Sequence, residues 1–320
     1  KRFFGKNWLG IALFIVFACI IAAPMLYTFY IHPEYITSRT GNVSILNPEV
    51  NEGHLFKTFL KSFGLSIIKY NIWGDQNWRH NYPPYAILDP ITGIAFTFGF
   101  IYALIKFIHL WSLRIFKKVK GNPHLEIYTF LLVWFFIMLV PEFMTAEGNP
   151  HALRSIGTLP VVFIFSALTF EYFFIKSDHY TSIFKKMTFS FLIVILLFIG
   201  AFNSIKYHLV WSRQVETAQA FDRNLMDMVG YIKSQPKNRE IFVVIEVMQR
   251  IPLQVFDWNR TNLTYYYPAE IDNIQPQSPD PLIMITDYNE EVINQLQIKF
   301  PKLQLEEKKN EFGISYYILK

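Results

Sequence analysis

Residues 8–30 read WLGIALFIVFACIIAAPMLYTFY, a run without a single charged side chain. A helix rises 1.5 Å per residue, so a run of this length covers the roughly 30 Å hydrocarbon core of a bilayer. Four further stretches repeat the pattern: Ile91–Leu113, Leu125–Met144, Ser155–Ile175 and Thr188–Val210. Together they predict five transmembrane helices. Chemistry in such a chain belongs at a membrane face or within the membrane, which removes most soluble-enzyme classes.

The composition agrees. Hydrophobic residues make up 52% of the 320, aromatics 18%, and the mean hydropathy is positive at +0.22; all three exceed ordinary soluble usage. The character changes near Trp211. Residues 1–210 read as a membrane domain with long loops at 31–90 and 145–154, and residues 211–320 as a polar, water-facing domain. The net charge of +5 does not mark a nucleic-acid binder, because the basic residues sit beside the apolar runs and form no long tract. Lys1, Arg2 and Lys6 precede the first run; Arg114, Lys117, Lys118 and Lys120 follow the second; Lys176, Lys185 and Lys186 lie between the fourth and fifth. Five crossings put all three clusters on one side. The positive-inside rule then sets the N-terminus in the cytoplasm and loops 31–90 and 145–154, with the C-terminal domain, outside. In loop 31–90 Arg39, Lys57, Lys61, Lys69 and Arg79 are mixed with Glu34, Glu49, Glu52 and Asp75.

Other signals are thin. Cys19, the one cysteine, falls within the first run and reads as packing, so no disulfide is expected in the external domain. Sequons at Asn42, Asn259 and Asn262 are short patterns that carry little weight. The chain begins at Lys1 without an initiator Met and is expected to be part of a longer protein.

The first external loop is too long for a plain connector. Within it, His54–Trp73 spaces Leu55, Phe56, Phe59, Leu60, Phe63, Ile67 and Tyr70 at helical intervals, with Lys57 and Lys61 on another face. That pattern predicts an amphipathic helix lying in the membrane interface, or an ordinary helix packed on the protein. GDQNWRHNYPPYAILDP follows at 74–90, and its Gly and Pro residues exclude a continuous helix. It gathers Asp75, Arg79, His80, Asn81, Tyr82 and Asp89 on irregular backbone, where binding groups concentrate. The loop TAEGNPHALR at 145–154 carries Glu147, His151 and Arg154, with Glu142 just inside the preceding run. Trp8, Tyr30, Trp73, Trp78 and Trp111 read as interfacial anchors, Trp73 and Trp78 also as surfaces for sugar stacking.

The polar domain starts with one expected helix at 214–234. Strand-like runs follow at Ile241–Val247, Pro281–Thr286, Leu303–Glu306 and Ile314–Leu319, with a short helix over Asn289–Phe300. This alternation predicts a small α/β domain, with the tyrosines and prolines near Tyr265–Pro268 forming a loop over the membrane face. No glycine-rich phosphate loop, nucleophile elbow or zinc pattern occurs. The fold class is therefore an α-helical polytopic membrane protein, about five transmembrane helices plus an interfacial helix, with a small C-terminal α/β soluble domain.

Four features in this order carry a resemblance: RTGNVSI at 39–45, GDQNWRHNYPPYAILDP at 74–90, NPHALRSIGTLP at 149–160 and DYNEEVINQLQIKFP in the tail. The arrangement resembles the C-terminal portion of GT-C integral-membrane glycosyltransferases, on the branch of the protein O-mannosyltransferases and aminoarabinose transferases. The resemblance implies inverting transfer of a sugar from a polyprenyl-phosphate carrier to a protein, lipid or polysaccharide acceptor, with no nucleotide sugar at the site. It also implies an acidic general base in a first external loop, which this chain does not contain and which is expected upstream of Lys1.

What remains suits the donor half of that reaction. A lipid-phosphate leaving group needs stabilised negative charge, and arginine's fork binds phosphate oxygens bidentately. Arg154, Arg79 and Arg39, with His80 and His151, are the donor-phosphate candidates; Asp75, Asp89, Glu147 and Tyr82 are candidates for positioning sugar or acceptor. Each has a plainer reading. Boundary arginines snorkel, loop histidines bond locally, and Asp beside Gly or Pro caps helices and forms turns. Glu147 and His151 have the spacing of a metal pair, but Pro150 breaks the helix that would align them, so no metal and no other cofactor is expected. The chief rival is a non-enzymatic membrane-anchored subunit that binds a glycan or partner. A transporter is disfavoured by the nearly charge-free run interiors. The expected residence is a bacterial or archaeal cytoplasmic membrane.

The orientation is open to direct test. In a Cys19→Ser background, Lys302→Cys should react with an impermeant thiol reagent on intact cells, and Lys117→Cys only after permeabilisation. The reverse pattern overturns the external placement of the loops and tail.

Overall fold

The computed structural model describes residues 2–117, 122–177, 181–256 and 260–320, with the side chains of 2–6, 36–40 and 247 outside the description. The chain divides into two compact units, Lys1–Ile195 and Leu196–Lys320. The sequence change near Trp211 thus lies some residues beyond the structural division, which falls inside the last apolar helix.

The first unit opens with α1 (Arg2–Ile31), α2 (Glu34–Val43), α3 (Pro48–Asn51) and α4 (Leu55–Ile68), followed by the irregular segment 69–89. Then come α5 (Pro90–Phe116), α6 (Pro123–Phe143), a 3₁₀ stretch at Leu153–Thr158, α7 (Leu159–Ser177) and α8 (Ser182–Ile205). Five helices are long and apolar enough to cross a membrane, and they coincide with the five expected runs. Asp89 starts α5 as its N-cap, with Pro90 in the first turn, where a missing N–H costs nothing.

Helices α5 and α7 pack most intimately. A Cβ on Gly99 would lie 1.7 Å from the Phe165 carbonyl oxygen, so only glycine permits this approach. Small polar groups tie the same seam: Thr169 Oγ1 donates to the Ala95 carbonyl at 2.7 Å, and Ser166 Oγ to that of Thr92 at 3.4 Å. Helix α6 closes the core with Leu131, Leu132, Phe135 and Leu139, against Phe96, Ala103, Val162 and Phe165. The opposite faces of these helices expose Ile94, Phe98, Ile101, Phe130, Ile137 and Phe163, a surface suited to acyl chains. The hydrophobic stretches of α1 and α8 contain no buried residue.

Helix α4 ends at Ile68, short of the expected Trp73. Phe59 and Phe63 meet Phe143 of α6 edge-on, with ring centroids 5.7 and 5.5 Å apart. Leu55, Phe56 and Leu60 stay exposed on its other face. It is therefore packed on the protein along one stripe and apolar on the outside along another.

In the second unit the residues after α8 continue as a π turn at Lys206–Val210 and a 3₁₀ turn at Trp211–Arg213. The single helix expected at 214–234 is two, α9 (Val215–Ala220) and α10 (Arg223–Ser234), because Asp222 takes a left-handed conformation at φ 49°. The remainder runs β1 (Ile241–Val244), α11 (Val247–Phe256), β2 (Leu263–Tyr266), β3 (Leu282–Ile285), α12 (Glu290–Lys299), β4 (Leu305–Lys309) and β5 (Ser315–Leu319). The sheet order is β2-β1-β3-β5-β4: β1 pairs in parallel with β2 and β3, and β5 antiparallel with β3 and β4. Ile241 and Val243 face one core with Leu225, Met228 and Ile232 of α10. Phe242 and Val244 face another with Val292, Ile293 and Leu296 of α12. A strand buried on both faces reads as a continuous apolar run, which is why β1 and β3 were legible. Two expectations are corrected. Tyr265 and Tyr266 belong to edge strand β2 and not to a loop, and α11, with Pro252 inside it, had not been expected as a helix.

The α5–α7 seam makes a prediction. Gly99→Ala should destabilise the protein by about 1–3 kcal/mol through overpacking. Gly200→Ala on α8, where a Cβ meets nothing within 4 Å, should cost nothing. Thermal unfolding in detergent measures both, and equal midpoints would refute the close approach.

Candidate functional site

Two loops far apart in sequence meet at the ends of α4–α7, and buried carboxylates hold them there. Segment 74–85 folds back on itself. A Cβ on Gly74 would come within 2.2 Å of the Tyr85 carbonyl oxygen. Asn81 Nδ2 bridges the carbonyls of Asp75 and Tyr85 at 3.0 and 2.7 Å. This turn leaves Asp75 only 1% exposed.

The Asp75 carboxylate is a hub. Oδ1 accepts the Asn77 amide at 2.8 Å, while Oδ2 meets His80 Nδ1 at 2.8 Å and accepts the Ala152 amide at 2.7 Å. The neighbouring amide, that of His151, donates to Glu142 Oε1 at 3.0 Å. Consecutive N–H groups of the second loop are thus gripped by two different carboxylates. Glu142 is completely buried, and its Oε2 pairs with Lys69 Nζ, which also donates to Ser155 Oγ. Burial pushes the Lys69 ammonium below its ordinary range, and the charge of Glu142 opposes that shift. Next to it, Tyr70 meets Thr158 Oγ1 at 2.7 Å, and burial raises its phenol well above the usual value.

His80 and His151 lie side by side, with ring centroids 4.7 Å apart. Burial, and then the charge of Arg154, hold His151 below the ordinary imidazole range, with Asp75 acting the other way. Its Nδ1 is buried without a hydrogen-bond partner. One donor atom each from Asp75, His80 and His151 fall within 4.8 Å of one another.

The remaining candidates divide clearly. Arg154 belongs to this neighbourhood: Nη1 donates to Thr145 Oγ1 at 3.0 Å and to the Glu147 carbonyl at 2.5 Å, and Nη2 lies 3.9 Å from the Glu147 carboxylate. Glu147 itself is largely exposed. Arg79 adjoins His80, and its side chain is exposed. Tyr82 stands in an aromatic row, 5.6 Å from the Trp78 ring and 5.1 Å from that of Tyr85. Trp78 is thereby part of this row. Asp89 is occupied structurally, with Oδ1 accepting the Ile91 and Thr92 amides at 3.1 and 2.9 Å. The plainer reading of that residue, a helix cap, is the one its geometry supports. The side chain of Arg39 lies outside the described residues. The backbone of its segment is joined to the second loop: the Ala146 amide donates to Val43 O and the Ile45 amide to Met144 O, both at 3.0 Å.

Lys69 and Ser155 were not singled out from sequence, and Asn81 and Glu142, though named, were not carried into the site set. The available signal was one charge inside each of two apolar runs, Lys69 in SIIKYNI and Glu142 in MLVPEFM. Opposite charges in otherwise apolar segments point to a buried pair. Comparison with family models, curated proteins and solved structures finds no match to this chain.

The buried pair makes a quantitative prediction. Lys69→Ala or Glu142→Ala, each leaving one buried charge uncompensated, should cost about 3–5 kcal/mol. The double variant Lys69→Met with Glu142→Gln removes both charges, keeps an acceptor for the His151 amide, and should recover most of that loss. Unfolding in mixed micelles measures all three. A loss below about 1 kcal/mol in both single variants would contradict a buried ion pair.

Proposed function

We propose that this chain is the donor-binding portion of an inverting membrane glycosyltransferase. It takes a sugar from a polyprenyl-phosphate carrier at the external membrane face, with a carboxylate of the whole protein as the general base. The observation that carries this reading is the joining of Arg154, His151 and His80 in one polar cluster at the loop ends of the apolar helices. A carrier phosphate presents its charge at that depth, next to its hydrocarbon chain.

Three further features support it. Arg154 is preoriented by Thr145 and the Glu147 carbonyl, so little side-chain entropy is lost when it meets an anion. The Trp78–Tyr82–Tyr85 row offers ring faces of the kind that pack on a sugar. An apolar groove of about 630 Å³ runs between α5, α7 and the first part of α8, beginning at Ile91, two residues after Asp89. A polyprenyl tail fits such a groove. In this scheme the acceptor hydroxyl gives its proton to the catalytic carboxylate, and its oxygen bonds the anomeric carbon as the carbon–phosphate-oxygen bond breaks. The departing oxygen carries the electron pair, and Arg154 stabilises that growing charge. Attack opposite the leaving group inverts the centre.

The test uses the full-length protein in proteoliposomes with a polyprenyl-phosphate sugar. Arg154→Ala should lower transfer by about 10²–10³-fold, the loss typical of one transition-state donor, with an unchanged unfolding midpoint. Unaltered transfer would remove Arg154 from the phosphate site. No detectable transfer by the wild type, with any polyprenyl-phosphate hexose, pentose or aminosugar, would favour the binding-subunit reading.

A further inference from the structure

The sequence argued against a metal because Pro150 separates Glu147 from His151. The folded chain assembles a different set. Among the described residues, Asp75, His80 and His151 are the group whose donor atoms converge, all within 4.8 Å of one another. They come from two loops, and the Asp75–Ala152 hydrogen bond at 2.7 Å already holds those loops in register.

A second observation is independent of the spacing. His151 Nδ1 is buried and makes no hydrogen bond. A buried polar atom without a partner carries a desolvation cost that a coordinate bond would relieve. His80 has a complementary arrangement. Its Nδ1 faces the buried Asp75 carboxylate at 2.8 Å, and a divalent ion entering there takes the place of the proton between them. The nearest guanidinium, on Arg154, is turned to Thr145 and Glu147.

We propose that Asp75, His80 and His151 form a site for one divalent ion of the zinc class, with a remaining position open to water or another oxygen ligand. Two imidazoles and a carboxylate are the donor types zinc takes in open, three-ligand sites. Ligands about 2.1 Å from a tetrahedral ion stand about 3.4 Å apart, so the set tightens by side-chain rotation when the ion enters. Asp75 contributes one carboxylate oxygen to the ion and His80 its Nδ1. This site stands whether or not the donor reading does.

The experiment takes the full chain in detergent, strips it with a chelator and titrates it with Zn²⁺. One ion per chain is expected, with a rise in the unfolding midpoint that grows with Zn²⁺ concentration. His80→Ala and His151→Ala should each weaken binding by more than the 10–100-fold typical of losing an outer-shell partner. His32→Ala, at the exposed His32–Glu34 pair, should leave the stoichiometry unchanged. X-ray absorption of the zinc-loaded wild type needs no variant and should show a nitrogen and oxygen shell with scattering from two imidazoles. Substoichiometric zinc, undiminished affinity in the double histidine variant, or a shell without imidazole would each overturn the site.

Discussion

Two adjacent amides, those of His151 and Ala152, decide how the loop region is built. Each is captured by a carboxylate from a different part of the chain, Glu142 at the end of α6 and Asp75 in the first loop. A carboxylate taken from water needs compensation, and these two find it differently. Glu142 has the Lys69 ammonium, whereas Asp75 has two amides and the His80 ring. Buried ion pairs often contribute little net stability compared with apolar packing, and their better attested use is to specify one arrangement. Here the arrangement specified is the meeting of two loops that lie on either side of α5 and α6 in the chain.

The long apolar helices were legible because their signal is one-dimensional. A bilayer demands length and apolarity, and both can be counted along the chain without knowing what lies beside it. The sheet was legible for a related reason, since IFVV and LIMI are continuous apolar strands. Edge strand β2 was misread because LTYY is half exposed and polar at its tip, a pattern shared with loops. The break between α9 and α10 was hidden for another reason. Asp222 adopts the left-handed conformation inside a periodic apolar pattern that reads as unbroken.

The site was legible in its ingredients and not in its connections. Every candidate in GDQNWRHN and NPHALR could be named, but whether His80 faces His151 depends on contacts at separations of many tens of residues. Asp89 shows the difficulty. Its sequence neighbours, Leu88 and Pro90, allow a ligand or a cap, and only the bonds to the Ile91 and Thr92 amides distinguish the two. Lys69 shows the converse. It looked like one of several scattered surface charges, and it is completely buried.

The missing side chain at Gly99 has a mechanical result. With the backbones of α5 and α7 touching and stitched by Ser166 and Thr169, these helices behave as a single rigid wall. The cap at Asp89 and the turn before Leu159 are fixed to that wall. Helix α4 meets α6 through the rings of Phe59, Phe63 and Phe143, and Lys69, which follows it, through the bond to Glu142. A substitution that broke that bond would loosen the α4 side of the loop region and leave the α5–α7 seam as it is.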